Sequence, residues 1–408
     1  MTNGTTHTDN GLDGKVATVP DTGEDTMSDA GSCADESLPH SGRLDIGVLA
    51  RLFDEKVTSY KYFFFLALLD RIEKGLVDRP LPLSELAVDM VLAAWYPHGF
   101  CRLSFGSQDR LQHTVDHIAW GEVRGSWIVA GGEDWERLRA RCAASQDPRA
   151  LTKFVPYRLL RPFFATELRS ARDQDVNERI VELAERLFTE RKPFYCFSAD
   201  RTALILQHDW IEYLGRNAAI IRGWARFKLA GYLQARNPVA GGIIEKLEPP
   251  IMRSPLTKQV AWWREALPLI GDKARCIYTG IALDTADLSL DHYLPWSFVA
   301  HDRSWNLVPV SRSVNSSKSD HIPDHRYIAG LTAIQHAAIS TLKSRWPEER
   351  WTVAVEPWIV DLGIGKTSIL DLPKLRAAYE TAIGPLETIA ERQGFPKGWV
   401  YGSAGTTG

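Results

Sequence analysis

The strongest constraint on the fold lies in residues 288–320, where two short apolar stretches precede a serine-rich polar segment. Residues 288–294 and 306–310 predict two strands, because both are rich in apolar residues and Pro295 follows the first. Ser311 or Ser313 is a suitable N-cap for a short helix over 311–319. The segment therefore predicts a β-hairpin followed by a helix.

This predicted unit carries the side chains needed to activate a water molecule against a phosphodiester. Asp291 and His292 fall on the first strand and Asn315 on the helix. Carboxylate and carboxamide oxygens are ligands that Mg²⁺ accepts, and an imidazole titrates near neutral pH. Adjacent residues on a strand point to opposite faces, so Asp291 and His292 share a pocket only if the strand is distorted or ends there. Pro295 favours such an end.

The same stretch resembles the HNH (ββα-metal) endonuclease family, and is most similar to the HNH domain of the RNA-guided CRISPR effector nucleases. The resemblance covers about sixty residues, roughly 270–330. The matching residues are Asp291-His292-Tyr-Leu-Pro295-Trp-Ser297-Phe298, then Asn306, then Asn315-Ser-Ser-Lys318-Ser319-Asp320.

The resemblance implies a role for each of five side chains. His292 is the implied general base, and Asp291 and Asn315 are the implied ligands of one Mg²⁺ or Mn²⁺ ion. Asn306 is expected to fix the loop and support the base. Lys318 is expected to neutralise charge on the phosphate, with a solvent-facing lysine as the alternative.

The sequence departs from the family at a common bracing element. Many members carry two CxxC pairs around a structural zinc ion. Here Cys276 is followed by Thr279 where the second cysteine would stand. No structural zinc is therefore expected, and apolar packing around Tyr278, Trp296 and Trp305 is expected to replace it.

The rest of the chain predicts an α+β protein, mainly helical, that carries this ββα-metal module. An extended, packed loop is expected at 155–162, since proline disfavours helix at the preceding residue, and a strand is expected at 351–359. The predicted division is a disordered acidic tail (1–43), a helical N-terminal domain (44–198), a basic helical segment (199–270), the HNH module (271–330) and a C-terminal helical region with a disordered tail (331–408).

The net charge of −3 conceals an uneven distribution. Residues 1–42 hold eight acidic residues and only Lys15, whereas residues 201–275 hold 12 basic and 6 acidic residues. A basic segment beside a phosphodiester-cleaving motif predicts a nucleic-acid clamp, and a solvated helical face is the alternative. The candidate contacts are Arg222, Arg226, Lys228 and Arg236.

The cysteines and the N-terminal sequence indicate in which cellular compartment the protein is expected. Five scattered cysteines without a CxxC pair argue against a disulfide framework and for a reducing compartment. The N-terminus lacks an apolar stretch after a basic start, and the longest apolar run, 62–69, is too short to span a bilayer. A cytoplasmic location is expected, with no membrane partner.

Two histidine positions beyond the motif also bear on a metal site. His321 and His325 have the i,i+4 spacing of some metal ligands, but Pro323 opposes a regular helix between them. Whether they lie near the metal pocket or on the surface stays open at this point.

These observations predict a metal-dependent HNH endonuclease that hydrolyses DNA. One site should nick one strand. Analogy to free-standing nucleases suggests bacterial defence against phage or foreign DNA, and other subunits of a defence complex are candidate partners besides DNA. The alternatives are a DNA-binding or complex-assembly protein with an inert HNH module, and an HNH nuclease that acts on RNA.

Overall fold

The chain folds around two hydrophobic cores in a computed structural model. The first core is formed by residues from Leu38 to Leu247 and the second by residues from Trp263 to Phe395. The structure describes residues 38–54, 58–118, 128, 130–169, 171–250 and 254–402. Residues 1–37 of the predicted acidic tail and 403–408 of the predicted C-terminal tail lie outside them.

Ten helices and a small sheet surround the first core in the described residues. The helices are α1 (Ile46–Ala50), α2 (Tyr60–Glu73), α3 (Leu83–Ala94), α4 (Arg110–Ile118), α5 (Glu133–Ala144), α6 (Asp147–Leu151), α7 (Val155–Leu159), α8 (Val176–Arg186), α9 (His208–Arg216) and α10 (Ala218–Arg236). The antiparallel sheet has the order β1-β3-β2, with β1 (Leu81–Pro82), β2 (Tyr195–Phe197) and β3 (Ala203–Leu206).

Helix α2 lies at the centre of this first core. Apolar residues occupy every face of this helix, and Phe63, Phe64 and Phe65 are all buried. A helix that is apolar all round must be enclosed, and α2 contacts α3, α7, α9 and α10. A turn of π-helix, Trp95–Phe100, continues α3 towards the second core.

The predicted extended loop at 155–162 is wrong. Residues Val155–Leu159 form α7, and Arg161–Phe164 form a 3₁₀ turn. Both prolines lie in the first turn of their helical segment, where the missing N–H has no helical partner to lose.

The second core combines the hairpin with six helices. The helices are α11 (Thr257–Ile270), α12 (Trp296–Val299), α13 (Arg312–Lys318), α14 (Ile328–Lys343), α15 (Glu348–Asp361) and α16 (Leu372–Arg392). The strands are β4 (Leu288–His292), β5 (Leu307–Ser311), β6 (Ile322–Pro323) and β7 (Lys397–Trp399). Strands β4 and β5 pair antiparallel, and β6 and β7 pair parallel.

The strand predicted at 351–359 is also wrong, because this stretch lies within α15. Trp351, Val355 and Trp358 are buried at helical spacing, whereas Val353 and Val360 are exposed. The burial of one helical face therefore outweighs the preference of valine and tryptophan for strands.

The cores cross the predicted domain boundaries. Helices α9 and α10 of the predicted basic segment pack in the first core, and α11 packs in the second. The hairpin shares the second core with α14 and α16. Leu38 is buried and the Tyr213 hydroxyl donates to the Pro39 carbonyl (2.6 Å), so the packed chain extends ahead of the expected start at Leu44. The five-part division stays a prediction.

We found no helix among the described residues with both the length and the apolar character needed to cross a membrane.

Candidate active site

The end of β4 places Asp291 and His292 on the same cleft. His292 pairs with Leu307 as the last residue of the strand, and the Tyr293 N–H donates to the Asn306 carbonyl (2.8 Å). The chain then turns at Pro295 into α12. Asp291 and His292 both line a cleft of about 460 Å³. Because the strand ends at His292, these two adjacent side chains can face the same cleft, as the sequence analysis required.

Asn306 closes the loop between the two strands. Its side chain is buried, its Oδ1 accepts from the Leu294 N–H (2.8 Å), and its Nδ2 donates to the Leu294 carbonyl (2.9 Å). This pair of bonds mimics a strand pairing across the loop. Its position fits the predicted role of fixing the loop beside the base.

Asp291 is held from two sides. Its Oδ2 accepts from the Tyr278 hydroxyl (2.7 Å) and its Oδ1 accepts from the Lys318 ammonium (2.9 Å). Burial and the neighbouring Asp291 carboxylate raise the pKa of Tyr278 well above its usual range, which keeps this hydroxyl a donor. The carboxylate therefore has a fixed orientation at the edge of the cleft.

Lys318 is fully buried, and its side chain has an exposed fraction of 0%. Besides Asp291, the ammonium donates to the His292 carbonyl (2.7 Å). The structure thus places Lys318 behind both cleft residues, and the contact with phosphate stays a prediction.

Asp302 is a candidate site residue that the sequence analysis did not single out. Its Oδ1 lies 2.8 Å from the His292 Nε2, and both side chains line the cleft. The sequence indicated only a polar loop over 299–305. The one available signal was an acidic residue ten positions after the candidate base. This signal could not be interpreted without knowing how the loop closes.

Asn315 reaches the cleft from α13. Ser311 caps this helix as predicted, because its Oγ accepts from the Val314 N–H (3.4 Å). The Asn315 Nδ2 donates to Ser289 Oγ (2.9 Å) and to the Leu290 carbonyl (3.2 Å). These two bonds hold the Asn315 amide nitrogen against β4.

The residues present fit a divalent cation that prefers oxygen ligands. A carboxylate has about four acceptor positions, and two of those on Asp291 are taken by Tyr278 and Lys318. Asn315 also lines the cleft, and its side-chain carbonyl oxygen would be the second protein ligand. Two protein oxygens in an open cleft leave positions for water, as Mg²⁺ requires.

Three carboxylates line the cleft, and each lies within hydrogen-bond distance of a nitrogen. The pairs are Asp291 with Lys318, Asp302 with His292 and Asp320 with Arg102. Arg102 belongs to the first core's part of the chain, as does Phe100, which also lines the cleft. The cleft is therefore built from both parts of the protein.

A tight turn forms at 276–280, where Thr279 stands in place of the second cysteine of a CxxC pair. The Gly280 N–H donates to the Cys276 carbonyl (2.8 Å), and Gly280 has a positive φ of 70° that favours glycine. Cys276 is buried in the second core, where it packs as a small apolar residue. The Tyr278 ring contacts those of Tyr327 and Trp399 edge to face, at centroid distances of 4.9 Å and 5.1 Å.

The two tryptophans expected at this place have different neighbours. Trp305 is buried and its Nε1 donates to Asp361 (2.7 Å). Trp296 packs against the first core, with its ring 6.3 Å from that of Phe100. Trp296 therefore joins the hairpin loop to the N-terminal part of the chain.

The four candidate nucleic-acid contacts all lie on α10. Arg222 is paired with Glu73 and Arg226 with Glu248. Arg236 is exposed and lies over the Tyr232 ring, 3.6 Å from its centroid, and Lys228 is partly exposed. Of the four, Arg236 is exposed and the other three are half-buried, and the clamp stays a prediction.

The two additional histidines lie close to the site but have other contacts. The His321 Nδ1 lies 2.9 Å from the Lys318 carbonyl, and His325 is exposed beside Glu387 (3.5 Å). Neither lines the cleft as described.

A family model matches the segment that supplies most of the cleft residues. Residues 276–324 match the family model described as HNH endonuclease. The protein therefore contains an HNH endonuclease domain, a nuclease module of the hydrolase class, and the predicted family is confirmed. The closer likeness to RNA-guided effectors stays a prediction. No curated protein and no solved structure matches the chain.

Proposed function

We propose that this HNH domain makes the chain a metal-dependent endonuclease that hydrolyses DNA and nicks one strand at each site. The observation that carries the proposal is the convergence of Asp291, His292 and Asn315 on one cleft, with Asp302 beside His292. These residues supply a base, its orienting carboxylate and two cation ligands.

His292 acts as the general base in this proposal. The Asp302 carboxylate lies 2.8 Å from the His292 Nε2 and would orient the imidazole ring, so that His292 takes the proton of the attacking water. The Asp302 carboxylate then stabilises the imidazolium that forms. Asn306 keeps the loop after His292 in place through its two bonds to Leu294.

Asp291 and Asn315 would hold a Mg²⁺ or Mn²⁺ ion. When bound, such an ion polarises the scissile phosphate and stabilises the leaving 3′ oxygen. Lys318 and Tyr278 keep the Asp291 carboxylate oriented towards the cleft. Lys318 also donates to the His292 carbonyl. One buried ammonium therefore contacts both the proposed base, His292, and the proposed cation ligand, Asp291.

The substrate is proposed to lie against both parts of the chain. Lys228 and Arg236 would contact phosphates of the DNA outside the cleft, and each such contact contributes to the salt dependence of binding. Replacing both residues with glutamine should reduce affinity and lower the salt slope. Unchanged affinity and slope would refute the clamp.

The decisive experiment is incubation of supercoiled plasmid with the protein and Mg²⁺ or Mn²⁺. The wild type should give open circles, whereas His292→Ala and Asn315→Ala should give none and still bind DNA. His336→Ala is the matched control, because His336 bonds the Leu370 carbonyl (2.8 Å) away from the cleft, and it should cleave normally.

Other outcomes separate the alternative functions. Linear product would indicate paired sites, and cleavage of RNA alone would change the substrate class. DNA binding without cleavage under all metal conditions would favour an inert HNH module. A defence role and a cytoplasmic location rest on family analogy and composition. The defence role is tested by phage challenge of cells that carry the wild type or His292→Ala.

A further inference from the structure

Arg102 connects the N-terminal part of the chain to the nuclease domain. It follows the π-helical turn 95–100, and its guanidinium donates to Asp320 Oδ2 (2.7 Å) and to the Gly394 carbonyl. The same group lies over the Phe395 ring, 4.5 Å from its centroid. The side chain is largely buried, with an exposed fraction of 9%. One arginine therefore holds two segments of the second core at once.

Arg102, and the residue that precedes Asp320, have backbone conformations that residues other than glycine rarely adopt. Arg102 has φ of 56°, and Ser319, next to Asp320, has φ of 51°. Such conformations are strained and persist where surrounding contacts hold them. The Arg102–Asp320 bond joins the first of these positions to the residue that follows the second.

Asp320 lies between two residues that hold the end of α13. The Ser319 N–H donates to the Asn315 carbonyl (3.1 Å), and the His321 N–H donates to the Lys318 carbonyl (3.1 Å). Asn315 carries one candidate ligand oxygen, and Lys318 holds the carboxylate that carries the other. A shift of Asp320 would therefore move the backbone of both residues.

We propose that Arg102 is a positioning residue for the cation ligands of the nuclease site. It acts through Asp320 on the last turn of α13, and it makes the N-terminal part of the chain necessary for full metal affinity. This inference rests on the proposed function, because it assumes that Asp291 and Asn315 bind a divalent cation.

The test is Mn²⁺ binding to the full-length protein, measured by electron paramagnetic resonance in the absence of nucleic acid. Arg102→Gln and Asp320→Asn should each raise the Mn²⁺ dissociation constant about three- to tenfold, at the lower end of what residues behind metal ligands contribute. The double variant should be no weaker than the weaker single variant, because both changes break the same contact.

Arg71→Gln is the matched control for stability. Arg71 is similarly buried and pairs with Asp89 (2.6 Å) and Glu85 (2.7 Å) within the first core, away from the cleft. It should lower the urea midpoint comparably and leave Mn²⁺ affinity unchanged. If Arg102→Gln fails to fold, Asp320→Asn tests the same contact from the other side.

The outcomes separate this inference from the function on which it rests. Wild-type protein that binds no Mn²⁺, or binds it equally well with Asn315→Ala, would refute the proposed metal site. Wild-type binding that Asn315→Ala abolishes, but that Arg102→Gln and Asp320→Asn leave unchanged, would refute only the role of Arg102. Equal losses of affinity in Arg102→Gln and Arg71→Gln would also overturn it.

Discussion

Replacing Lys318 with methionine should destabilise the protein strongly, because it leaves Asp291 buried without its cation. The exposed fractions of the two side chains are 0% and 3%, and the ammonium lies 2.9 Å from the carboxylate. Removing one member of such a buried pair typically costs about 3–5 kcal/mol. The lost bond to the His292 carbonyl adds about 1 kcal/mol.

The expected loss is measured as the free energy of unfolding in urea and as the melting temperature, which should fall by about 5–7 °C for a chain of this length. Lys374→Met is the matched control, since Lys374 has an exposed fraction of 63% and a loose ion pair with Asp371 (3.7 Å). It should change the free energy of unfolding by less than about 1 kcal/mol.

The double variant Lys318→Met/Asp291→Asn tests the cause of this loss. Asparagine keeps an acceptor for Tyr278 and removes the unpaired charge, so the double variant should be more stable than Lys318→Met alone. A Lys318→Met protein with wild-type stability and impaired cleavage would refute the reasoning. It would instead support the phosphate contact predicted from the sequence.

Three further predictions concern the base, a buried lysine and metal removal. Asp302→Asn should lower the cleavage rate about a hundredfold with little change in KM, because His292 loses its orienting carboxylate; an unchanged rate would exclude that role. Burial lowers the pKa of Lys246 from 10.5 to about 8. Between these pH values the unfolded chain binds more protons than the folded protein, so the free energy of unfolding increases as the pH rises. The stability of the wild type relative to Lys246→Met should therefore increase between pH 8 and 10.5, by up to about 3 kcal/mol in urea unfolding, and a constant difference would contradict the assignment. EDTA should abolish cleavage without lowering the melting temperature, since apolar packing and the 276–281 turn brace the hairpin; a large decrease would indicate a structural metal ion.

The local structure of the site could be predicted because its signals are short-range. Apolar runs set β4 and β5, Ser311 caps α13, and the capping bond forms as expected. The end of β4 at His292 also followed from Pro295 nearby. In each case the deciding contacts lie within a few residues along the chain.

The contacts that complete the site could not be predicted, because they depend on tertiary packing. Asp302 reaches His292 only after the loop closes through Asn306. Lys318 reads as a surface residue at the end of a polar helix, yet the fold buries it against Asp291. Arg102 lies more than two hundred positions from Asp320, and nothing local links them.

The parallel pairing of β6 with β7 has a consequence for the order of events during synthesis. Strand β6 directly follows the site, but its partner, Lys397–Trp399, is near the end of the described chain. The Gly394 carbonyl and the Phe395 ring, which contact Arg102, are made equally late. A ribosome translating this message therefore carries a chain whose helix α13 still lacks these supports. The nuclease domain can complete its native packing only after residues 394–399 have left the exit tunnel, which is later than the synthesis of the hairpin and of α13.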